Sequence, residues 1–109
     1  MAVMGERFMR MLVFFDLPTL TKTDRKIASR FRHFLINDGY IMLQLSVYSR
    51  ICKGNDDVEK HANRLKYLIP KEGSVRLLTV TEKQYASMSI LVGQIKKEEK
   101  IGEKQLLLL

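Results

Sequence analysis

The sequence predicts a small α+β domain, and three features of its 109 residues carry that prediction. The apolar run Met11–Phe15 is typical of a strand that is covered on both faces. Two later segments repeat apolar residues at the spacing of an α-helix. Between and after these segments lie stretches rich in β-branched and aromatic residues, which favour strands. A chain of this length is expected to form one domain.

The first strand covers Arg7–Asp16, and a polar turn separates it from the first helix. Thr21 as N-cap, with Asp24 three residues later, has the outline of a capping box. We expect the helix to end at Asp38-Gly39. Its predicted apolar face consists of Ile27, Phe31, Phe34 and Leu35.

The segment Tyr40–Ile51 predicts one long bent strand or two short ones, ended by Gly54-Asn55. A second helix begins at Asp56 and ends before Pro70, with an apolar face of Val58, Ala62, Leu65 and Ile69. Ser74–Thr81 is a further strand. The order β-α-β-(β)-α-β is the split βαβ, ferredoxin-like plan, in which an antiparallel sheet carries both helices on one face.

The chain continues beyond this plan. After a polar link at Glu82–Gln84, the apolar segment Met88–Gly93 predicts an additional C-terminal strand, which could pair with a partner subunit. We therefore place a single domain at 7–93, with the extra strand in 82–93, and a C-terminal arm at 94–109. Because the helices cover one sheet face only, a homodimer packed through the sheets is the simplest cover for the other.

The charge balance predicts an anionic partner, with nucleic acid as the leading candidate. The chain has 19 Lys and Arg against 12 Asp and Glu, a net charge of +7, and its 46% hydrophobic content argues against a disordered polycation. Arg25 and Arg32 are expected to face solvent, and Lys96-Lys97 repeats the basic signal more weakly. The basic residues around the first helix are Lys22, Arg25, Lys26, Arg30 and Arg32. They suit duplex phosphates, although a solvated helix face would have the same composition.

Asp16 is the acidic residue whose position suggests chemistry, because it ends the first strand just before a polar loop. Such a carboxylate could hold Mg²⁺. Two copies of it across a dimer axis could position or activate a water for phosphodiester hydrolysis. In the simpler interpretation Asp16 only ends the strand and begins the turn.

Other residues exclude several classes of site. His33 and His61 have no ligands at metal-binding spacing, so we expect both at the surface or its boundary. The single Cys52 excludes a zinc module built on cysteines and an internal disulfide, and it favours a reducing cytoplasm. The four terminal leucines are too few to span a bilayer, so no membrane association is expected.

Several stretches resemble the small CRISPR-associated adaptation protein family, Cas2, in the type II-A-like version that accompanies the Cas9 effector. They run from Met9 to about Gly93 and include M-L-V-F-F-D-L-P, D-G-Y, Q-L-S-V-Y-S and S-V-R-L-L-T-V-T. The resemblance implies a homodimer that bridges two Cas1 integrase dimers in a heterohexamer and binds protospacer DNA during spacer acquisition. It also implies a magnesium-dependent endoribonuclease activity with Asp16 as catalytic residue and metal ligand.

The same resemblance assigns surfaces along the chain. It implies phosphate contacts at Lys22, Arg25 and Lys96-Lys97, where lysines replace a family arginine pair and its bidentate grip. It also implies integrase docking by the C-terminal residues Gln105, Leu106, Leu107, Leu108 and Leu109, an apolar strand that could join a sheet edge. We favour a scaffold that does not cut DNA. The alternatives are a toxin-like Mg²⁺-dependent nuclease with paired Asp16 and a small regulator that binds an anionic ligand.

Overall fold

Four strands form one antiparallel sheet in the order β2-β3-β1-β4 in a computed structural model, which describes residues 8–99. The elements are β1 (Phe8–Asp16), α1 (Lys22–Asn37), β2 (Ile41–Gln44), β3 (Val47–Lys53), α2 (Asn55–Leu68), β4 (Ser74–Thr81), α3 (Glu82–Ala86) and a 3-10 turn (Lys97–Glu99). The predicted ferredoxin-like α+β plan is thereby confirmed. Tyr40–Ile51 folds as two strands joined by a two-residue turn.

Strand β1 is central, because it pairs with β3 on one side and with β4 on the other. Side chains alternate along a strand, so Met11, Val13 and Phe15 share one face. All three are buried in the core between the sheet and the two long helices. The Phe15 ring meets the Phe31 ring of α1 edge-on, with centroids 5.1 Å apart.

Helix α1 begins at the predicted capping box. The Thr21 hydroxyl accepts a hydrogen bond from the Asp24 backbone N–H at 3.0 Å, and the Asp24 carboxylate accepts one from the Thr21 N–H at 3.1 Å. The buried face of the helix differs from the predicted one. It consists of Ala28, Phe31 and Leu35, whereas Ile27 is 41% exposed. Ile27 lies about 100° around the helix from Ala28, at the margin of the contact with the sheet.

Helix α2 packs as predicted through Leu65, but Ile69 lies beyond its end and is exposed. The cause is Pro70, which disfavours helical backbone at the residue before it. Ile69 has φ −68° and ψ 140°, an extended conformation that ends the helix.

His61 corrects a second expectation, since it is buried, with 2% of its surface exposed. Its Nδ1 donates to an Asp38 carboxylate oxygen 2.8 Å away, because a carboxylate can only accept. Its Nε2 lies 3.3 Å from the Asp57 carboxylate without the alignment of a hydrogen bond. Asp38 also accepts from Arg64 at 2.8 Å. These contacts, with His61 buried and Arg64 at the surface, tie the end of α1 to α2. His33, by contrast, is exposed as predicted.

Residues 82–93 do not form the expected additional strand within the described chain. Glu82–Ala86 is the short helix α3, and Met88–Gly93 has no strand pairing. Helix α3 directs the following segment across the sheet face opposite the long helices, where Met88 and Ile90 lie over Leu12 and Phe14. We call residues 87–99 the strap and this face the open face. Pairing of Met88–Gly93 with a second subunit stays a prediction.

The strap covers the open face incompletely. Phe14 on β1 remains 37% exposed and Leu78 on β4 50% exposed. Within residues 8–99, every helix is too short or too polar to cross a bilayer.

Candidate nucleic-acid interface

Three cations line the outer surface of α1. Lys22, Lys26 and Arg30 follow one another at four-residue spacing, which places them on one side of the helix. All three are exposed. At 1.5 Å per residue they extend over about 12 Å of the helix axis. We call this set the α1 stripe.

Arg25 stands beside the α1 stripe and has a structural contact of its own. Its Nη1 donates to the carbonyl oxygens of Thr19 at 3.1 Å and Leu20 at 3.2 Å. These bonds hold the loop that leads into α1, while the side chain remains exposed. A guanidinium carries five N–H donors, so Arg25 can hold this loop and still contact a phosphate.

Arg32 departs from the predicted solvent-facing position. It is half-buried, and its guanidinium lies 5.7 Å from the centroid of the Phe15 ring. A cation over an aromatic face is attracted by the ring quadrupole. Arg32 therefore packs at the edge of the core, whereas the α1 stripe faces outward. Four of the five predicted basic residues of this helix, namely Lys22, Arg25, Lys26 and Arg30, are exposed together.

Asp16 is the last residue of β1, as the sequence predicted; it lies opposite Ser74 of β4 and is exposed. Its backbone is closely packed: a Cβ on Gly73 would come within 2.5 Å of the Asp16 carbonyl oxygen. In the described part of the chain, no three potential ligands of the His, Cys, Asp or Glu type come together. One chain, over residues 8–99, thus gathers no cluster of three such ligands around Asp16, and the pairing of two copies of Asp16 across a dimer axis stays a prediction.

Lys96 and Lys97 lie on the strap, on the opposite side of the sheet from α1. The Lys96 ammonium donates to the Met42 carbonyl oxygen at 2.9 Å, so it is bound to β2 in this conformation. Lys97 is exposed at the start of the 3-10 turn. The fold of one chain does not bring this basic pair to the α1 stripe. The predicted docking residues 105–109 lie outside the described residues.

One buried ion pair escaped the sequence prediction. Arg10 donates to both carboxylate oxygens of Glu82, at 2.7 and 3.1 Å, and the two side chains are 2% and 5% exposed. The guanidinium also stacks 4.3 Å from the centroid of the Tyr85 ring. The sequence signal that could have revealed this pair is Arg10 itself, which lies inside an apolar strand. A buried arginine requires a partner. The pair attaches α3, and with it the start of the strap, to β1.

Comparison with known proteins adds a family match. The family model described as CRISPR associated protein Cas2 matches residues 9–88. The protein named CRISPR-associated endoribonuclease Cas2 of Acidovorax ebreus is 56% identical over 101 residues, covering 92% of this chain and 99% of that protein. Its namesake in Campylobacter jejuni is 46% identical over 99 residues, covering 91% of this chain and 69% of that protein.

A solved structure shares the fold. Streptococcus pyogenes Cas2 at pH 6.5 superposes with a TM-score of 0.59 and 21% identity, over 76% of this chain and 99% of that one. At this level of identity the match shows a shared fold.

Proposed function

The chain belongs to the CRISPR associated protein Cas2 family, and on that premise we propose that it is a DNA-binding scaffold in spacer acquisition. A homodimer bridges two Cas1 integrase dimers and holds the protospacer duplex by its phosphates without cutting it. The observation that carries this proposal is the α1 stripe, with three exposed cations on one side of one helix.

The stripe suits phosphates better than bases. Lysine and arginine contacts to phosphate fix the register of a protein on a duplex and carry no direct sequence information. With three cations in each of two copies, up to six phosphates are neutralised. The logarithm of the binding constant then falls against the logarithm of salt concentration with a slope of about −5. We therefore expect tight, salt-sensitive binding with weak sequence preference.

The test is the salt dependence of duplex binding by Lys26→Gln, with Lys66→Gln as matched control. Both substitutions remove one exposed lysine charge from a long helix, but Lys66 lies on α2. Each lost phosphate contact reduces the slope by about 0.9, so K26Q reduces it by about 1.8 in a dimer. Fluorescence anisotropy over a salt series measures the slope. Equal slopes in the two variants would refute a role for the α1 stripe.

The open face supports the homodimer in this proposal. Phe14 and Leu78 leave apolar surface exposed there, and a second copy packed across a twofold axis would cover it. Integrase docking is assigned to residues 105–109. Deletion of these five residues should abolish integrase binding in a pull-down and leave duplex affinity unchanged, and retained integrase binding would remove this part of the proposal.

A second candidate function is a metal-dependent endoribonuclease, which is the activity in the printed names of the relatives. In this candidate function the site uses Asp16 from each of two copies, brought together across the dimer axis. Asp16→Ala should then abolish Mg²⁺-dependent cleavage of single-stranded RNA by the purified dimer. Asp56→Ala, which removes an exposed carboxylate from α2, is the control. Unchanged cleavage by D16A would exclude this site, and intact spacer acquisition by D16A would favour the scaffold.

A further inference from the structure

The strap is held on the open face by a polar cluster at its C-terminal end. Arg10 Nη2 donates to the Glu99 carbonyl oxygen at 3.0 Å. The Tyr85 hydroxyl donates to one Glu99 carboxylate oxygen, and the Lys96 backbone N–H donates to the other at 2.7 Å. We call the contacts of Glu99 the latch. Burial and the Glu99 carboxylate raise the pKa of Tyr85 above its ordinary value, so its hydroxyl remains a donor at neutral pH.

The strap runs across the open face from one edge of the sheet to the other. The Lys96 ammonium donates to the Met42 carbonyl oxygen in β2, whereas α3, where the strap begins, follows β4 at the far edge. The segment therefore crosses the whole sheet. Ser87 and Met88 bond back to α3, and the polar contacts that hold the rest of the strap lie at residues 96 and 99.

Between these contacts the strap packs loosely. A groove of about 470 Å³, partly open to solvent, lies between it and the sheet, with Leu12 and Phe14 on one side and Met88 and Ile90 on the other. Val92 at the turn of the strap is 94% exposed. The strap is therefore held on the open face by polar contacts more than by apolar burial. It can detach from this face while Arg10 stays paired with Glu82.

We propose that the latch controls self-association. With the latch closed, the strap lies over Leu12 and Phe14 and the Lys96 ammonium is occupied by β2. With the latch open, the open face is free for a second copy of this chain, and Lys96 is free for a phosphate. One surface cannot be covered by the chain's own strap and by a second copy at once, so closure and dimerisation compete. This inference rests on the homodimer of the proposed function.

The test uses two variants that weaken the latch and one matched control. Tyr85→Phe removes the hydroxyl and keeps the ring that Arg10 stacks on, and Glu99→Gln removes the carboxylate charge. Glu98→Gln makes the same charge change at the neighbouring exposed residue, which has no polar contact among the described residues. Two measurements are made on the full chain: amide hydrogen exchange at Lys96 and the dimer dissociation constant from sedimentation velocity.

We expect faster exchange at the Lys96 amide in E99Q than in E98Q. We also expect the dimer dissociation constant of E99Q and of Y85F to fall by roughly fivefold or more, the effect of one net hydrogen bond. A dissociation constant within twofold of the control, or a higher one, overturns the competition. Unchanged exchange overturns the latch itself.

The outcomes also separate this inference from the proposed function. A normal wild-type dimer with unaltered variants refutes the latch alone. A latch-released chain that stays monomeric at its highest soluble concentration refutes both the latch and the homodimer. If E99Q and Y85F form tighter dimers but show no salt-dependent duplex binding, the scaffold function is refuted and the latch is supported.

Discussion

Glu82→Gln isolates the energetic role of the buried Arg10 pair. The substitution keeps the shape of the side chain and removes its charge, so the Arg10 guanidinium stays almost fully buried without its counter-ion. Removing one partner from a buried, hydrogen-bonded ion pair costs about 3–5 kcal/mol. The amide retains one acceptor, so we expect about 3 kcal/mol, a large part of the ~5–15 kcal/mol that stabilises a typical domain.

Urea unfolding followed by circular dichroism measures this change in the free energy of unfolding. A double-mutant cycle with Arg10→Met and Glu82→Leu completes the experiment, because each of these single variants leaves one charge buried and unpaired. The pair Arg10→Met with Glu82→Leu removes both charges, and well-packed apolar replacements of buried ion pairs are often neutral. We therefore expect the double variant to recover most of the stability that either single variant loses.

An exposed ion pair provides the control. Lys60 lies 3.5 Å from Asp57 on the surface of α2, and Lys60→Gln should change stability by well under 1 kcal/mol. If Glu82→Gln costs no more than Lys60→Gln, the Arg10–Glu82 pair is not desolvated in solution. The reasoning from its burial would then be refuted.

Three further predictions concern local features. Burial alone would raise the pKa of Asp38, but hydrogen bonds from His61 and Arg64 lower it below 3.8. The stabilising contribution of the Asp38 carboxylate is therefore complete above pH 3.8 and is lost as the pH falls through the pKa of the folded state. Below about pH 4, the free energy of unfolding should therefore vary less with pH in Asp38→Asn than in the wild type. Gly73→Ala, at φ +94° with a Cβ 2.5 Å from the Asp16 carbonyl oxygen, should cost about 2 kcal/mol or more in urea unfolding, whereas Gly93→Ala, also at positive φ, meets only an atom 4.0 Å away and should cost less. Thr21→Ala should lower the free energy of unfolding by about 1 kcal/mol through loss of the cap, and Thr21→Ser should restore it. Equal losses in the two glycine variants, or a fully stable Thr21→Ala, would contradict the corresponding reasoning.

The parts of the fold that depend on neighbouring residues were predictable from the sequence. The start of α1 is one example, since Thr21 and Asp24 form the capping box across three residues. Features that join distant residues were not predictable. His61 meets Asp38 across 23 residues, and Arg10 meets Glu82 across 72. Periodicity describes how an element is arranged along the chain and says nothing about which distant side chain meets it.

The candidate site shows the same division. A helical wheel correctly predicted that Arg25 would face solvent. It misjudged Arg32, since the aromatic ring that draws this side chain inward belongs to Phe15 on β1. The sequence pattern also could not show that the apolar segment after α3 crosses a sheet face instead of pairing with a strand at the sheet edge.

The central position of β1 makes the fold dependent on the meeting of its two ends. Met9 near the beginning of the described chain lies opposite Thr81 of β4, and this pairing closes a loop that contains every other strand and both long helices. Closing so long a loop before any pairing is gained is an entropic barrier that slows folding. During synthesis, the apolar run of β1 leaves the ribosome long before β4 exists to cover its second edge. The nascent chain therefore carries an apolar strand with an unpaired edge for most of its translation, the kind of surface that chaperones bind.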